Sequence, residues 1–151
     1  KVRIKIARIF NTYGPKMSSN DGRVVSNFIT QALRGESITI FGDGGQSRDL
    51  INVRDVVQAN LLAMNAPVSS GVFNVGTGRA TSVNEIAALL CARLAPGTRP
   101  AHGQAHPGEL RYSIADVGRI SAAMGYRPAG VLAEKIDEVI DHCRSSVPGR
   151  A

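Results

Sequence analysis

At 151 residues, with 43% hydrophobic and 20% charged side chains, the chain has ordinary globular composition and enough length for one domain with a sizeable core. Its net charge of +6 comes from 14 Arg and 4 Lys dispersed along the sequence, and aromatics make up only 5%. Such arginines suit discrete anion sites, whereas a nucleic-acid-binding face clusters its basic residues and interleaves aromatics. No apolar run approaches the ~20 residues needed to span a bilayer and no signal-peptide core is present, so no membrane is expected and the location expected is cytoplasmic.

The first segment, Lys1 to Phe10, alternates charged and apolar residues and turns almost continuously apolar from Ile6, as for a strand whose far end is buried on both faces. A chain opening inside such a strand is expected to be a piece of something longer. Asn11-Thr12-Tyr13-Gly14-Pro15 reads as a turn that aims Asn11 and Tyr13 at a crevice, followed by a polar loop through Asn20. Asp21-Gly22 then leads into a helix with Val24, Val25, Phe28, Ile29, Ala32 and Leu33 on one face and Gly35 as its stop.

Two apolar runs follow, Ile38 to Phe41 and Ser47 to Asp55, separated by Gly42-Asp43-Gly44-Gly45-Gln46, and the pattern predicts strand, turn, strand. The turn delivers Arg48 to a glycine-rich surface. A guanidinium there can fork onto a phosphate, with glycine N-H groups approaching the same anion.

Asp55 is placed to cap a helix with Val56, Val57, Leu61 and Met64 inward, ending before Pro67, and Gly71 to Gly76 reads as a second buried strand. Gly76-Thr77-Gly78 is a poor dinucleotide fingerprint, since position 81 is Thr and no acid follows about 20 residues later. Ser82 and Glu85 instead make a capping box for a helix burying Val83, Ile86, Ala87, Leu90 and Leu94. Thr98 to Glu109 reads as a loop, Leu110 to Ile114 as a strand, and Asp116 as the cap of a short helix closed by Gly125. The last predicted helix carries Leu132, Ile136, Val139, Ile140 and Cys143 on one face and Asp137, Glu138 and Asp141 on a solvated one, with Ser145 to Ala151 a frayed tail.

Cys91 and Cys143 fall inside predicted helices without metal-ligand spacing and read most simply as buried thiols, a disulfide remaining open. His102, His106 and His142 have neither a nucleophile partner nor metal spacing, so no catalytic or metal-ligating residue is assigned.

Arg8-Ile9-Phe10-Asn11-Thr12-Tyr13-Gly14-Pro15, Asn20-Asp21-Gly22-Arg23-Val24-Val25-Ser26-Asn27-Phe28-Ile29, Phe41-Gly42-Asp43-Gly44-Gly45-Gln46-Ser47-Arg48-Asp49 and Asn74-Val75-Gly76-Thr77-Gly78 together resemble the C-terminal half of extended short-chain dehydrogenase/reductases, the epimerase/dehydratase family acting on nucleotide sugars. The second of these segments most resembles the UDP-glucuronate decarboxylases; UDP-glucose 4-epimerases and dTDP-glucose 4,6-dehydratases are the nearest rivals. The resemblance implies an α/β fold: the C-terminal portion of a Rossmann-type nucleotide-sugar enzyme. Residues 1–15 and 53–78 would be late Rossmann-lobe elements, 16–52 and 79–144 the small substrate-binding lobe.

It also implies roles. Asn11 would bond the substrate diphosphate, Arg48 of the Gln-x-Arg motif would clamp it, Thr39 to Phe41 would run beside the uracil, and Val25 and Phe28 would pack near base or ribose. Arg23 would face sugar or cofactor, and Ile9 would lie where the chain passes the nicotinamide of NAD. Many relatives carry a phosphate-binding arginine where this chain has Ala105-His106, a role open to Arg111 or His106. The family's Gly-x-x-Gly-x-x-Gly loop and Tyr-x-x-x-Lys pair occur nowhere in the sequence. The expected partners are therefore a UDP-sugar, an upstream Rossmann half and, in a complete homodimer, a second copy. A non-catalytic sugar-nucleotide binding module is the alternative, and no nucleic acid is expected.

Overall fold

The computed structural model describes residues 2–18, 21–68 and 70–146. Strand β1 (Lys5–Ile9) passes directly into β2 (Asn11–Tyr13), and helix α1 (Val24–Leu33) leads to β3 (Thr39–Phe41). Two short strands, β4 (Ser47–Arg48) and β5 (Leu50–Asn52), precede α2 (Val53–Asn65) and β6 (Gly71–Val75). The remainder is β7 (Thr81–Ser82), α3 (Val83–Leu94), β8 (Ala101–Gly103), β9 (Tyr112–Ser113), α4 (Gly118–Met124) and α5 (Leu132–Ser146). Among the described residues no helix is long and apolar enough to cross a membrane.

Among the described residues these strands form four small sheets. β1 pairs with β6, β2 with β5 and β3 with β8, all in parallel, while β4 runs antiparallel to β7 and parallel to β9. The Ile38 to Asp55 region is thus not a hairpin. Gly42 and Gly44 take positive φ, +74° and +71°, and this turn carries the chain away from β3 instead of folding it back. Gly44 also lies against Asn84, where a Cβ would collide.

The core of the described residues has two clusters. One gathers the stripes of α1, α3 and α5, with Ile29, Ile86, Leu90, Ile136 and Val139 fully buried. The other joins β1, β6, α2 and α4 through Val56, Ala59, Phe73, Val75, Ile120 and Tyr126. The predicted capping box is present: Ser82 Oγ accepts from Glu85 N at 3.1 Å, and Glu85 Oε2 accepts from Ser82 N at 2.7 Å. Cys91 and Cys143 are free and buried, and burial pushes the Cys143 thiol up.

Several expectations need correction. Asn11–Tyr13 is a strand rather than a turn, and Tyr13 points into the core, where burial raises its phenol to about 12. Asn52, not Asp55, caps α2, its side chain accepting from Arg54 N at 3.0 Å. Asp55 is buried and instead accepts from the N-H groups of Ala129 and Gly130 at 3.0 and 2.8 Å, tying a distant loop to the helix. Val56 and Ala59 face the core, which turns Val57, Leu61 and Met64 outward.

The far end of β1 is not enclosed, since Ile9 is 44% exposed. The loop from Thr98 to Glu109 contains β8, and the strand expected over Leu110 to Ile114 shrinks to β9. Helix α5 runs through Ser145 and Ser146, two of its acids pairing across to other helices: Asp137 with Arg93 at 2.7 Å and Glu138 with Arg54 at 2.8 Å. Lys1, Asn20 and the tail from residue 147 lie outside the described residues.

Candidate functional site

A cavity of about 660 Å³ opens between α1, β2, β3, the start of β5 and the turn that carries His106 and Glu109. Of the residues singled out from sequence, Asn11, Arg23, Val25, Phe28, Thr39, Phe41 and Arg48 all line it. Arg111 and Ile9 do not.

Phe28 and Val25 give the cavity an apolar floor because the same α1 stripe that builds the core reaches its wall. Parallel pairing makes alternate residues of β3 turn their backbone groups to the neighbouring strand. Ala101 N donates to Ile38 O at 2.8 Å and Gly42 N to Gly103 O at 3.0 Å, so the even-numbered residues face β8. The backbone groups of Thr39 and Phe41 therefore face the cavity side. Two glutamines take the outer pair of these groups: Gln31 Oε1 accepts from Thr39 N at 3.1 Å, and Gln46 Nε2 donates to Phe41 O at 2.9 Å. Between them the Thr39 carbonyl and the Phe41 N-H stay unpaired among the described residues. That is an acceptor and a donor side by side on a rigid strand.

Arg48 is held firmly on the opposite side. Its Nη1 donates to Ser47 O at 2.9 Å and Leu110 O at 2.7 Å, and its Nη2 pairs with Glu109 Oε1 at 2.9 Å. These contacts leave Nε-H and one Nη2 hydrogen for a ligand. Two of the turn's three glycine N-H groups are already engaged within the fold, for Gly42 N donates to Gly103 O and Gly45 N to Asp43 Oδ1 at 2.8 Å. Asn11 Nδ2 donates to Asp49 O at 3.3 Å, while Arg23 donates to Asp21 Oδ2 through Nε at 2.7 Å and to Thr12 O through Nη1 at 3.0 Å. The Asp21 carboxyl is partly desolvated, but hydrogen bonds from Ser26 and Arg23 outweigh that and hold it below the usual range.

Arg111 faces a second, smaller hollow that shares Phe41, Gln46, His106 and Glu109 with the first. There its Nη1 donates to both oxygens of Asp43, at 2.7 and 2.9 Å; that contact, helped by the Gly45 N-H, draws the Asp43 carboxyl down to about 2. His106 borders both hollows with its ring 4.3 Å from Phe41.

Sequence reasoning missed Gln31, Gln46, Glu109 and Asp49. Asp49 is fully buried between β4 and β5, and accepts from Thr77 N (2.8 Å), Thr77 Oγ1 (2.7 Å), Gly78 N (2.9 Å) and Ala115 N (3.1 Å). It is a buried anion satisfied on both oxygens, fixing the strand break that presents Arg48. Its place next to Arg48 in the motif was the one available signal.

This geometry belongs to a recognisable class. The family model described as the NAD dependent epimerase/dehydratase family matches residues 1–76, and the chain belongs to that family. More particularly, it is 35% identical over 150 residues to UDP-glucuronic acid decarboxylase 1 of Xenopus tropicalis, covering 99% of this chain and 35% of that protein. Among solved structures, UDP-glucose 4-epimerase of Thermotoga maritima with UDP-glucose superimposes with a TM-score of 0.88 at 36% identity, over 95% of this chain and 47% of the epimerase. MoeE5 in complex with UDP-glucuronic acid and NAD gives 0.84 at 35% identity, over 96% and 48%. The expected α/β fold is therefore borne out as one shared with part of these UDP-sugar-bound Rossmann-type structures, and the chain spans about a third of the curated relative's length and about half of the solved structures'.

Proposed function

We propose that this chain is the nucleotide-sugar-binding portion of a longer NAD-dependent enzyme that decarboxylates UDP-glucuronate. The observation that carries the reading is the cavity itself, with the fixed guanidinium of Arg48 on one wall and the open edge of β3 on another. Arg48, with Asn11 beside it, takes the diphosphate, and the Thr39 and Phe41 backbone takes the base over the Val25 and Phe28 floor. Arg23 is the cation nearest in role to a sugar carboxylate. The decarboxylases among the relatives support the reaction; the equally similar Thermotoga epimerase favours, as a second reading, the same portion of a UDP-sugar 4-epimerase.

NAD would supply hydride acceptance in the longer protein. The residues present here include neither the glycine loop nor the Tyr-x-x-x-Lys pair that would hold and use it, while Ile9, expected beside the nicotinamide, lies partly exposed outside this cavity. They supply positioning and charge neutralisation instead. The outward face of β1 and β6 is where the rest of such an enzyme would sit, and the chain alone is expected neither to bind NAD tightly nor to turn over a nucleotide sugar.

Titrating UDP into the purified chain and its Arg48→Ala variant tests the site. A loss of about 2 to 5 kcal/mol is expected, the scale for truncating one member of a desolvated charge pair, and equal dissociation constants would remove Arg48 from it. For the longer protein, carbon dioxide release from UDP-glucuronate is the expected result. Epimerisation without it selects the second reading.

A further inference from the structure

The side chain that holds the entry of β3 carries more hydrogen-bonding capacity than that contact uses. Gln31 lines the cavity and spends its oxygen on the Thr39 N-H, which fixes the amide's orientation and leaves its two N-H donors unpaired among the described residues. Along this edge the free groups then run in a fixed order: the Gln31 amide donor, the Thr39 carbonyl acceptor, the Phe41 N-H donor. A donor, acceptor, donor row is complementary to a planar ring that presents acceptor, donor, acceptor. Among pyrimidines that is the carbonyl, N3-H, carbonyl edge of uracil or thymine.

The backbone pair alone does not make this choice. Cytosine, shifted by one position, offers its exocyclic amine to the Thr39 carbonyl and its N3 to the Phe41 N-H. In that pose the ring places C5-H opposite Gln31, and a desolvated amide donor loses its partner. Uracil leaves none of the three unpaired.

We propose that Gln31 is the specificity-determining residue that makes this cavity prefer a uracil-type base to cytosine, an inference that rests on the cavity being a nucleotide site. The test is calorimetric titration of the purified chain with UDP, CDP and inorganic pyrophosphate. UDP is expected to bind roughly 10- to 100-fold more tightly than CDP, the scale of one buried donor left unpaired. Gln31→Leu should bring the two within about threefold of each other, chiefly by weakening UDP, and leave pyrophosphate unchanged. Gln31→Glu keeps an acceptor for the Thr39 N-H, so β3 stays supported, yet puts an anionic oxygen where the donor was; UDP should weaken at least as much as with leucine.

Undiminished UDP affinity in Gln31→Glu, or an equal loss of UDP and CDP in both variants, would make Gln31 a support for β3 only and overturn the proposal. Equal binding of UDP and CDP by the wild-type chain would overturn it while leaving the nucleotide-sugar reading in place. Failure of the wild-type chain to bind any of the three overturns both.

Discussion

The two core clusters close to different degrees. In the α1, α3 and α5 cluster three amphipathic helices bury one another's stripes, so the predicted inward residues are buried or half-buried. The β1, β6 and α2 cluster covers the sheet on one side only. Phe73 and Val75 are inside, but Ile4, Ile6 and Val72 on the opposite face, and Leu61 and Met64 on the outer side of α2, remain exposed. A helix stripe can be satisfied by two neighbours, whereas a twisted parallel sheet has two faces to cover. The cavity is walled mainly by the closed cluster and β3, which is why its polar groups sit on fixed supports.

The strongest way to break this arrangement is at the seam. Asp49 lies where β4 and β5 meet, and it binds the loop after β6 on one side and the segment before α4 on the other. Asp49→Ala would leave one buried N-H group, that of Ala115, and two part-buried ones, those of Thr77 and Gly78, without acceptors, at about 1 to 3 kcal/mol each before relaxation, so a net loss of about 3 to 5 kcal/mol is expected in denaturant unfolding. A change within 1 kcal/mol would show that the two clusters do not depend on this carboxylate.

The contrast itself is sharpened by one truncation in each cluster. Ile136 is completely buried among α1, α3 and α5, and Ile136→Ala should cost about 2 to 5 kcal/mol through lost burial and a residual cavity. Leu61 is 54% exposed on α2, and Leu61→Ala should stay within about 0.5 kcal/mol in the isolated chain. If both cost the same, the outer face of α2 is covered in solution.

How much of this was legible differs between helices and strands for a physical reason. Helices α1, α3 and α5 announce themselves locally, through stripes of period 3.6 and through caps such as Ser82 with Glu85. Strands of two or three residues carry no comparable signal. Which neighbour β3 takes is settled by the turn at Gly42 and Gly44 and by β8 some 60 residues later, so the apolar run at Ile38 to Phe41 was readable but its partner was not. On α2 the outer series Val57, Leu61 and Met64 is as periodic as the inner pair Val56 and Ala59, and the pattern alone does not say which one the sheet will cover. The cavity follows the same division. Val25, Phe28, Thr39, Phe41 and Arg48 sit on local motifs, while Gln31 and Glu109 matter only once β3 and the 106–109 turn are in place.

The smallest effect concerns the turn that separates Arg48 from β3. Asp43 is on the surface, bonded first by the Arg111 guanidinium and then by the Gly45 N-H, and its carboxyl falls from an ordinary 3.8 to about 2. A depressed carboxyl stabilises the fold when ionised, so its contribution is fully present above the ordinary value and disappears as the pH falls through the lowered one. The wild-type chain should therefore melt slightly above Asp43→Asn at neutral pH, with the gap constant down to about pH 5 and closing as the pH approaches 2. Because both partners are exposed, the gap should also narrow in high salt, by the screening that keeps surface pairs weak. The same measurement on Arg111→Ala separates the two causes: a gap that persists after the guanidinium is gone would assign the depression to the Gly45 N-H, and a gap that vanishes assigns it to the pair. A gap that widened toward low pH would reverse the sign and show that Asp43 is not held in its ionised form by this turn.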